Sequence, residues 1–371
     1  MKRGFLGVLF LFSPLLAAAW STSRLTHNDG SSLNPDLAAS GANVAMVWQD
    51  DSSGNNDIFF RYSSDGGATW PSAIRLTANA GNSENPAVAV SGALVYVAWE
   101  DDTPGNREIY FRTSADSGAT WQAGKRITYN PEYSASPAIA ADGATVYLVW
   151  EEGPATNRDI YFRASVDGGS TWQAAKKIAD TPGASLYPVM AVNNAYIYLA
   201  WCDSTPGNEE ICFRRSANRG STWQSAQRLT FTSGSSSAPA MAVKNANVYL
   251  AWHDDTPGNE EVYFRRSDDR GVTWQTVKRL TNDAGISADA AVAVAGANVY
   301  VAWEDDTPGN YELYFRMSAD GGATWEGAER LTNNAATSGL PDLGANGTTA
   351  FVAYCDDTPG NIEIYFKHAP M

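Results

Sequence analysis

Apolar and polar positions recur along the chain with a period of 51 residues, and each period holds four short stretches of strand character. In residues 75–128, Pro86 to Val90 is a short apolar run, and Leu94 to Asp101 is a second one rich in β-branched and aromatic side chains. Asp102-Thr103-Pro104-Gly105-Asn106 then supplies turn chemistry, Glu108 to Ser114 alternates, Ser114 to Trp121 turns again, and Lys125 to Thr128 ends the unit. Four antiparallel strands in a repeat of this length predict one blade of a β-propeller. A helical repeat is excluded, because no stretch keeps a 3.6-residue period and Gly or Pro interrupts every copy.

The number of blades follows from two tryptophan series. Trp48, Trp99, Trp150, Trp201, Trp252 and Trp303 are spaced by 51 residues, with Tyr354 at the next position. Trp70, Trp121, Trp172, Trp223, Trp274 and Trp325 keep the same spacing. The seventh copy runs from Pro341 to Lys367 and stops before a fourth strand. Arg24-Leu25-Thr26 matches the outer strand Arg75-Leu76-Thr77 one period upstream, so the N-terminus is expected to complete the last blade. The fold expected is all-β: a seven-bladed β-propeller of four-stranded antiparallel blades, hydrogen-bonded shut so that no pair of edges stays open.

Composition changes this picture in three ways. Twelve of the 13 Trp belong to the two series, leaving only Trp20, so tryptophan marks blade architecture rather than a ligand surface. Residues 1–19 have the order of a secretory leader: Lys2 and Arg3, the apolar run Phe5 to Phe12, and Ala17-Ala18-Ala19 as a cleavage site. One propeller domain over residues 20–371 is then expected, secreted, periplasmic or on the cell surface, and monomeric. No later segment is apolar for the ~18 residues that a membrane-spanning helix needs, so membrane insertion is not expected. With 26 basic and 41 acidic residues the net charge is -15, which argues against nucleic acid as a partner. Three Cys show no zinc spacing, and no metal or cofactor is expected.

Six copies carry Ser-x-Asp-x-Gly-x-Thr-Trp or a near variant, with Asp65, Asp116, Asp167, Asn218, Asp269 and Asp320 at the acidic position. In this the sequence resembles the Asp-box or BNR repeat family of the sialidase-like propellers, over nearly all of residues 20–371. The resemblance implies that each box is a structural turn between third and fourth strands. Its chemistry agrees, since a short carboxylate accepts backbone N–H groups, Gly allows positive φ and Trp buries a large face. Each copy also has an acid two residues after the first Trp, such as Asp101, and an Asn seven after it. An acid nine after, such as Glu108, and a base thirteen after, such as Arg112, share one strand face and are expected to pair within the blade. The Asp-Asp-Thr-Pro-Gly-Asn segment reads as a turn, with a calcium loop as the alternative. Ser32, Ser83, Ser134, Ser185, Ser236, Ser287 and Ser338 read as turn caps, with a hydroxyl ring at the channel mouth as the alternative.

A catalytic site on a repeating scaffold has to break the repeat, because acid and base need different environments. The resemblance to sialidases implies an Arg triplet for a carboxylate, a Tyr–Glu nucleophile, an Asp acid and an Arg-Ile-Pro motif. The chain has no Arg-Ile-Pro, and its inter-blade loops contain neither Arg nor Lys. No catalytic residue is therefore carried over. Non-repeating residues expected near the mouth are Tyr129, Tyr133, Tyr187, Phe231 and Tyr311, as candidate sugar-stacking groups, together with Arg107 and Arg158 in adjoining turns. Asp36, Asp289 and Asp342 could supply a carboxylate pair. Cys202 and Cys212 replace repeat residues on two arms of one hairpin and are expected to form a disulfide. The function expected is a non-catalytic binding or scaffold module for a glycan or cell-surface polymer; the alternative is an exo-sialidase or other glycoside hydrolase.

Overall fold

A computed structural model describes residues 19–154, 156–347 and 349–370, so the expected leader lies outside the described residues except for Ala19. The described chain forms seven four-stranded antiparallel sheets, with no helix among the described residues. Blade 2 runs from its inner strand Ser83–Ser91 through Leu94–Asp101 and Glu108–Ser114 to the outer strand Lys125–Arg126. Blade 7 takes Ser338–Asn346, Thr349–Asp356 and Glu363–Pro370 from the C-terminus and Ser21–Arg24 from the N-terminus. Ser21 lies opposite His368 and Arg24 opposite Tyr365, which is the closure the repeat arithmetic predicts.

The second strands are continuously apolar because both of their faces are buried. In Leu94–Asp101, Val95, Val97 and Trp99 join a cluster with Ile58 and Phe60 of blade 1, whereas Tyr96 and Ala98 join Leu148 and Trp150 of blade 3. Alternate side chains thus feed alternate interfaces, and every interface holds one such cluster.

Each Asp-box Trp packs edge to face on a Phe of the preceding blade. Trp121 meets Phe60 with ring centroids 4.9 Å apart, and Trp172 meets Phe111 at 5.1 Å. At blade 7 it is Trp20 that takes this role, meeting Phe315 of blade 6 at 5.1 Å and 78°. The thirteenth Trp therefore belongs to the same framework as the other twelve. Gly67 and its counterparts are required by this packing: φ there is +84°, and a Cβ would lie 2.2 Å from the Phe366 ring.

Three readings of the repeat change. The buried acid nine residues after the Trp pairs with the outer-strand arginine, as in Glu108 with Arg126 at 2.7 Å, and not with the base thirteen after. That base bolts blades together: Arg163 Nη1 donates to Ile127 O of the preceding blade at 2.7 Å and Arg265 Nη1 to Leu229 O at 2.8 Å. The serine series is fully buried and points at neither mouth nor solvent, since Ser32 Oγ donates to Asp50 Oδ2 at 2.6 Å. Asp50 also accepts from Asn28 Nδ2 and the Ser52 N–H, so its lone pairs are occupied by donors that a cation would have to displace.

The expected Cys202–Cys212 disulfide is absent. Cys202 stands opposite Ile211 and Cys212 opposite Trp201, so the two side chains leave opposite faces of the sheet. Cys202 packs in the interface toward blade 5 and Cys212 in the one toward blade 3.

Removal of residues 20–28 deletes the outer strand of blade 7, the Trp20–Phe315 contact and the Arg24–Glu363 ion pair together. We expect a sharp fall in melting temperature by calorimetry, and Trp20→Ala alone should cost about 2 kcal/mol, below the range for a fully buried Trp. A melt unchanged by the deletion would refute closure by the N-terminus.

Candidate functional site

The Asp boxes are closed turns. Asp65 Oδ1 accepts from Ser63 Oγ at 2.7 Å and the Thr69 N–H at 2.9 Å, while Oδ2 accepts from Thr69 Oγ1 at 2.6 Å. These bonds, led by Thr69 Oγ1, hold the Asp65 carboxyl at about 2, and Asp116, Asp167 and Asp269 stand likewise; Asp320 is lowered in the same way. Asn218 keeps the pattern in neutral form, its Oδ1 accepting from the Thr222 N–H and its Nδ2 donating to Thr222 Oγ1, both at 2.9 Å. With their oxygens so engaged, the boxes serve as framework.

Departures from the repeat collect at the opposite end, where the inner strands begin. A cavity of about 430 Å³ opens on the channel there, walled by Pro35, Pro86, Pro137, Pro188, Pro239 and Pro341. Just before these positions stand Asn34, Asn85, Ser136, Tyr187, Ala238, Asp289 and Leu340, all at φ between 46° and 52°. Two of these, Tyr187 and Leu340, are bulky side chains for which left-handed backbone costs about 1 kcal/mol or more. Each inner strand bulges at this point, as the register shift between Glu84 and Ala87 shows.

The bulge is held from the neighbouring blade. The residue that follows the first Trp in one blade accepts the N–H of the left-handed residue in the next. Gln49 Oε1 takes Asn85 N at 3.0 Å, Glu100 Oε2 takes Ser136 N at 3.0 Å, Glu151 Oε2 takes Tyr187 N at 3.1 Å and Glu304 Oε2 takes Leu340 N at 2.7 Å. His253 Nδ1 takes Asp289 N at 3.4 Å, and the thiols of Cys202 and Cys355 face the Ala238 and Asn34 N–H groups. Seven interfaces share one lock geometry with different acceptors. The acceptors are of four residue types, Glu serving at three interfaces and Cys at two, and the sequence signal for the ring was a pair of columns that vary where their neighbours do not.

Arg107 and Arg158 stand behind the ring and are already paired. Arg107 bridges Glu100 at 2.5 Å and Glu84 at 2.8 Å, and Arg158 binds Glu151 at 2.5 Å. Tyr187 is the one sequence-predicted aromatic that lines the cavity, and it is 51% exposed. Tyr129 and Phe231 lie away from it, their rings under the Arg126 and Arg228 guanidinium groups at 4.5 and 4.6 Å. Tyr133 opens the inner strand of blade 3 opposite Gly153, also outside the cavity. Tyr311 lies in the field of Glu304, Glu260 and Asp289 at the blade 6 corner.

Two features give the mouth unusual electrostatics. Burial, with Asp289 and Glu260 nearby, pushes the Glu304 carboxyl up to about 7. Gly339 makes this placement possible, because a Cβ there would come within 2.4 Å of Glu304 Oε2. Deeper in the channel wall, Asp36 and Asp342 replace the small apolar residues of the other blades. Asp342 Oδ2 accepts the Leu37 N–H at 2.6 Å and Asp36 Oδ2 the Val88 N–H at 2.5 Å, so each reaches across an interface. Desolvation raises Asp342 to about 6 and raises Asp36 well above its ordinary value, with Asp342 adding to the latter.

A family model described as a BNR repeat-like domain matches residues 85–301. The chain belongs to that family. No curated protein sequence matches it. Among solved structures, the phage phi92 endosialidase superposes with a TM-score of 0.59 at 10% identity, over 95% of this chain and 69% of that one. An α-L-arabinofuranosidase of Fusarium graminearum gives 0.56 at 14% identity, over 78% of this chain and 93% of that one. The sialidase of Trypanosoma rangeli gives 0.54 at 12%, this chain spanning 59% of its length. At such identities the BNR propeller and these enzymes share a fold.

The aspartate pair makes stability depend on pH with a definite sign. Folding raises both values, so the folded state binds more protons; their contribution is intact below about pH 4 and is lost as pH rises through about 6 for Asp342. Asp342→Asn should therefore melt a few degrees above the parent at pH 7.5 and converge with it below about pH 4. Equal melting temperatures at pH 7.5 would show that the pair carries no such cost.

Proposed function

We propose that the channel mouth is a recognition cup for neutral saccharides and that the propeller acts as a binding module, outside the cytoplasm, on extracellular or cell-surface glycans. The observation that carries this reading is that side-chain asymmetry concentrates at the mouth while both nearby arginines are already committed to carboxylates. An acidic sugar would have to draw Arg107 or Arg158 away from Glu100 or Glu151, leaving a nearly buried carboxylate unpaired, which costs about 3–5 kcal/mol. A neutral sugar needs no such rearrangement. Tyr187 offers a face to ring C–H groups, and Asn34, Asn85 and Asp289 offer partners for hydroxyls around a rigid proline wall.

One observation favours hydrolysis as a second reading. A Glu304 carboxyl near 7 is part-protonated at neutral pH and suits proton donation to a glycosidic oxygen, with Asp289 or Glu260 as the base toward water. The similar structures include a sialidase and an arabinofuranosidase, so the scaffold accommodates such chemistry.

On a glycan array, the protein of residues 20–371 should retain neutral glycans and ignore sialosides, with Tyr187→Ala weakening retention at least tenfold. Retention of sialosides that survives Tyr187→Ala would overturn the neutral-sugar reading. Turnover of a fluorogenic neutral glycoside, abolished by Glu304→Gln, would replace the binding module with a hydrolase.

A further inference from the structure

The seven locks at the mouth are equivalent in geometry and unequal in reinforcement. Gln49, His253, Cys202 and Cys355 are neutral acceptors or thiols, and Glu304 has no arginine in the corresponding turn position, which holds Tyr311. Among the described residues only Glu100 and Glu151 of the seven carry a guanidinium, and Arg107 divides its hold between Glu100 and Glu84. Arg158 has Glu151 as its ion-pair partner, at 2.5 Å on Oε1, while Oε2 of the same carboxylate receives the Tyr187 N–H at 3.1 Å. The Glu151 side chain is 2% exposed and Arg158 26%, so solvent competes little for the bond.

What this arginine-paired lock holds is the one large aromatic of the ring. Tyr187 sits at φ 52°, followed by Pro188, and its ring is half exposed over the cavity. A tyrosine in left-handed backbone relaxes toward the extended region when its N–H is released, and its ring would then leave the mouth. We propose that Arg158, acting through Glu151, is the positioning residue for Tyr187 and thereby sets how well the cup stacks on a sugar face. The ligand part of this proposal rests on the neutral-saccharide reading above; the positioning part does not. Arg158 touches no ligand in this scheme. It fixes the carboxylate, the carboxylate fixes the backbone, and the backbone aims the ring.

The test separates these parts. Amide hydrogen exchange of Tyr187 is measured in the parent, Arg158→Ala and Arg158→Lys, beside binding of neutral hexasaccharides of glucose, xylose and galactose. Arg158→Ala should speed Tyr187 exchange at least tenfold without speeding exchange in the second strands, and Arg158→Lys, which can still pair with Glu151, should restore most of the protection. Affinity for whichever hexasaccharide binds should fall about tenfold in Arg158→Ala and recover in Arg158→Lys. In a Tyr187→Ala background the Arg158 substitution should have no further effect on affinity. Protection of Tyr187 unchanged in Arg158→Ala, or an affinity loss that persists without Tyr187, would overturn the proposal. If none of the hexasaccharides binds the parent, the saccharide reading fails on its own while exchange still decides the positioning role.

Discussion

Burial of both faces of each blade is the constraint from which the rest of the molecule follows. A single four-stranded sheet of this sequence cannot hide Val95, Val97 and Trp99 on one side and Tyr96 and Ala98 on the other; only two neighbouring blades can. Seven such demands are met together when the ring closes, and each interface then adds directional ties to the apolar contact. The Asp-box Trp meets the Phe of the preceding blade, and the third-strand Arg donates to the preceding outer strand. Blade 7 shows how strict the demand is, since it borrows both a strand and a Trp from the far end of the chain.

This regularity is why the architecture was legible in sequence. Period, blade count, box turns and closure by Arg24-Leu25-Thr26 all rest on contacts repeated in register, and repetition is visible without coordinates. Pairings that cross between blades were not legible. Glu108 and Arg112 share a strand face, yet Arg112 reaches into the preceding blade and Glu108 takes Arg126, because the outer strand brings a second guanidinium to the acid. The cysteine hairpin misled for a related reason: two cysteines on adjacent strands meet only if they are direct partners, and an offset of one residue sends the side chains to opposite faces.

The candidate site was half legible. Departures from the repeat are the places to seek function, and Tyr187, Asp289, Arg107 and Arg158 all departed. Period alone could not show that the arginines face inward to carboxylates, or that Tyr129 and Phe231 end under arginines at the rim. The acceptor ring was harder still to see. Gln49, Glu100, Glu151, Cys202, His253, Glu304 and Cys355 have no chemistry in common beyond an atom able to face an N–H, and their common role exists only across interfaces.

That ring also explains how the mouth can vary at all. A left-handed residue ordinarily demands Gly, Asn or Asp, which would leave little room for different side chains. Here the neighbouring blade binds the N–H and a proline follows at most positions, so the conformation is imposed from outside the residue. Tyrosine and leucine can then occupy a backbone pose they would not choose. Symmetry in the locks and asymmetry in what they hold are two sides of one arrangement: the scaffold fixes seven backbones alike, and the side chains at the channel mouth are left to differ.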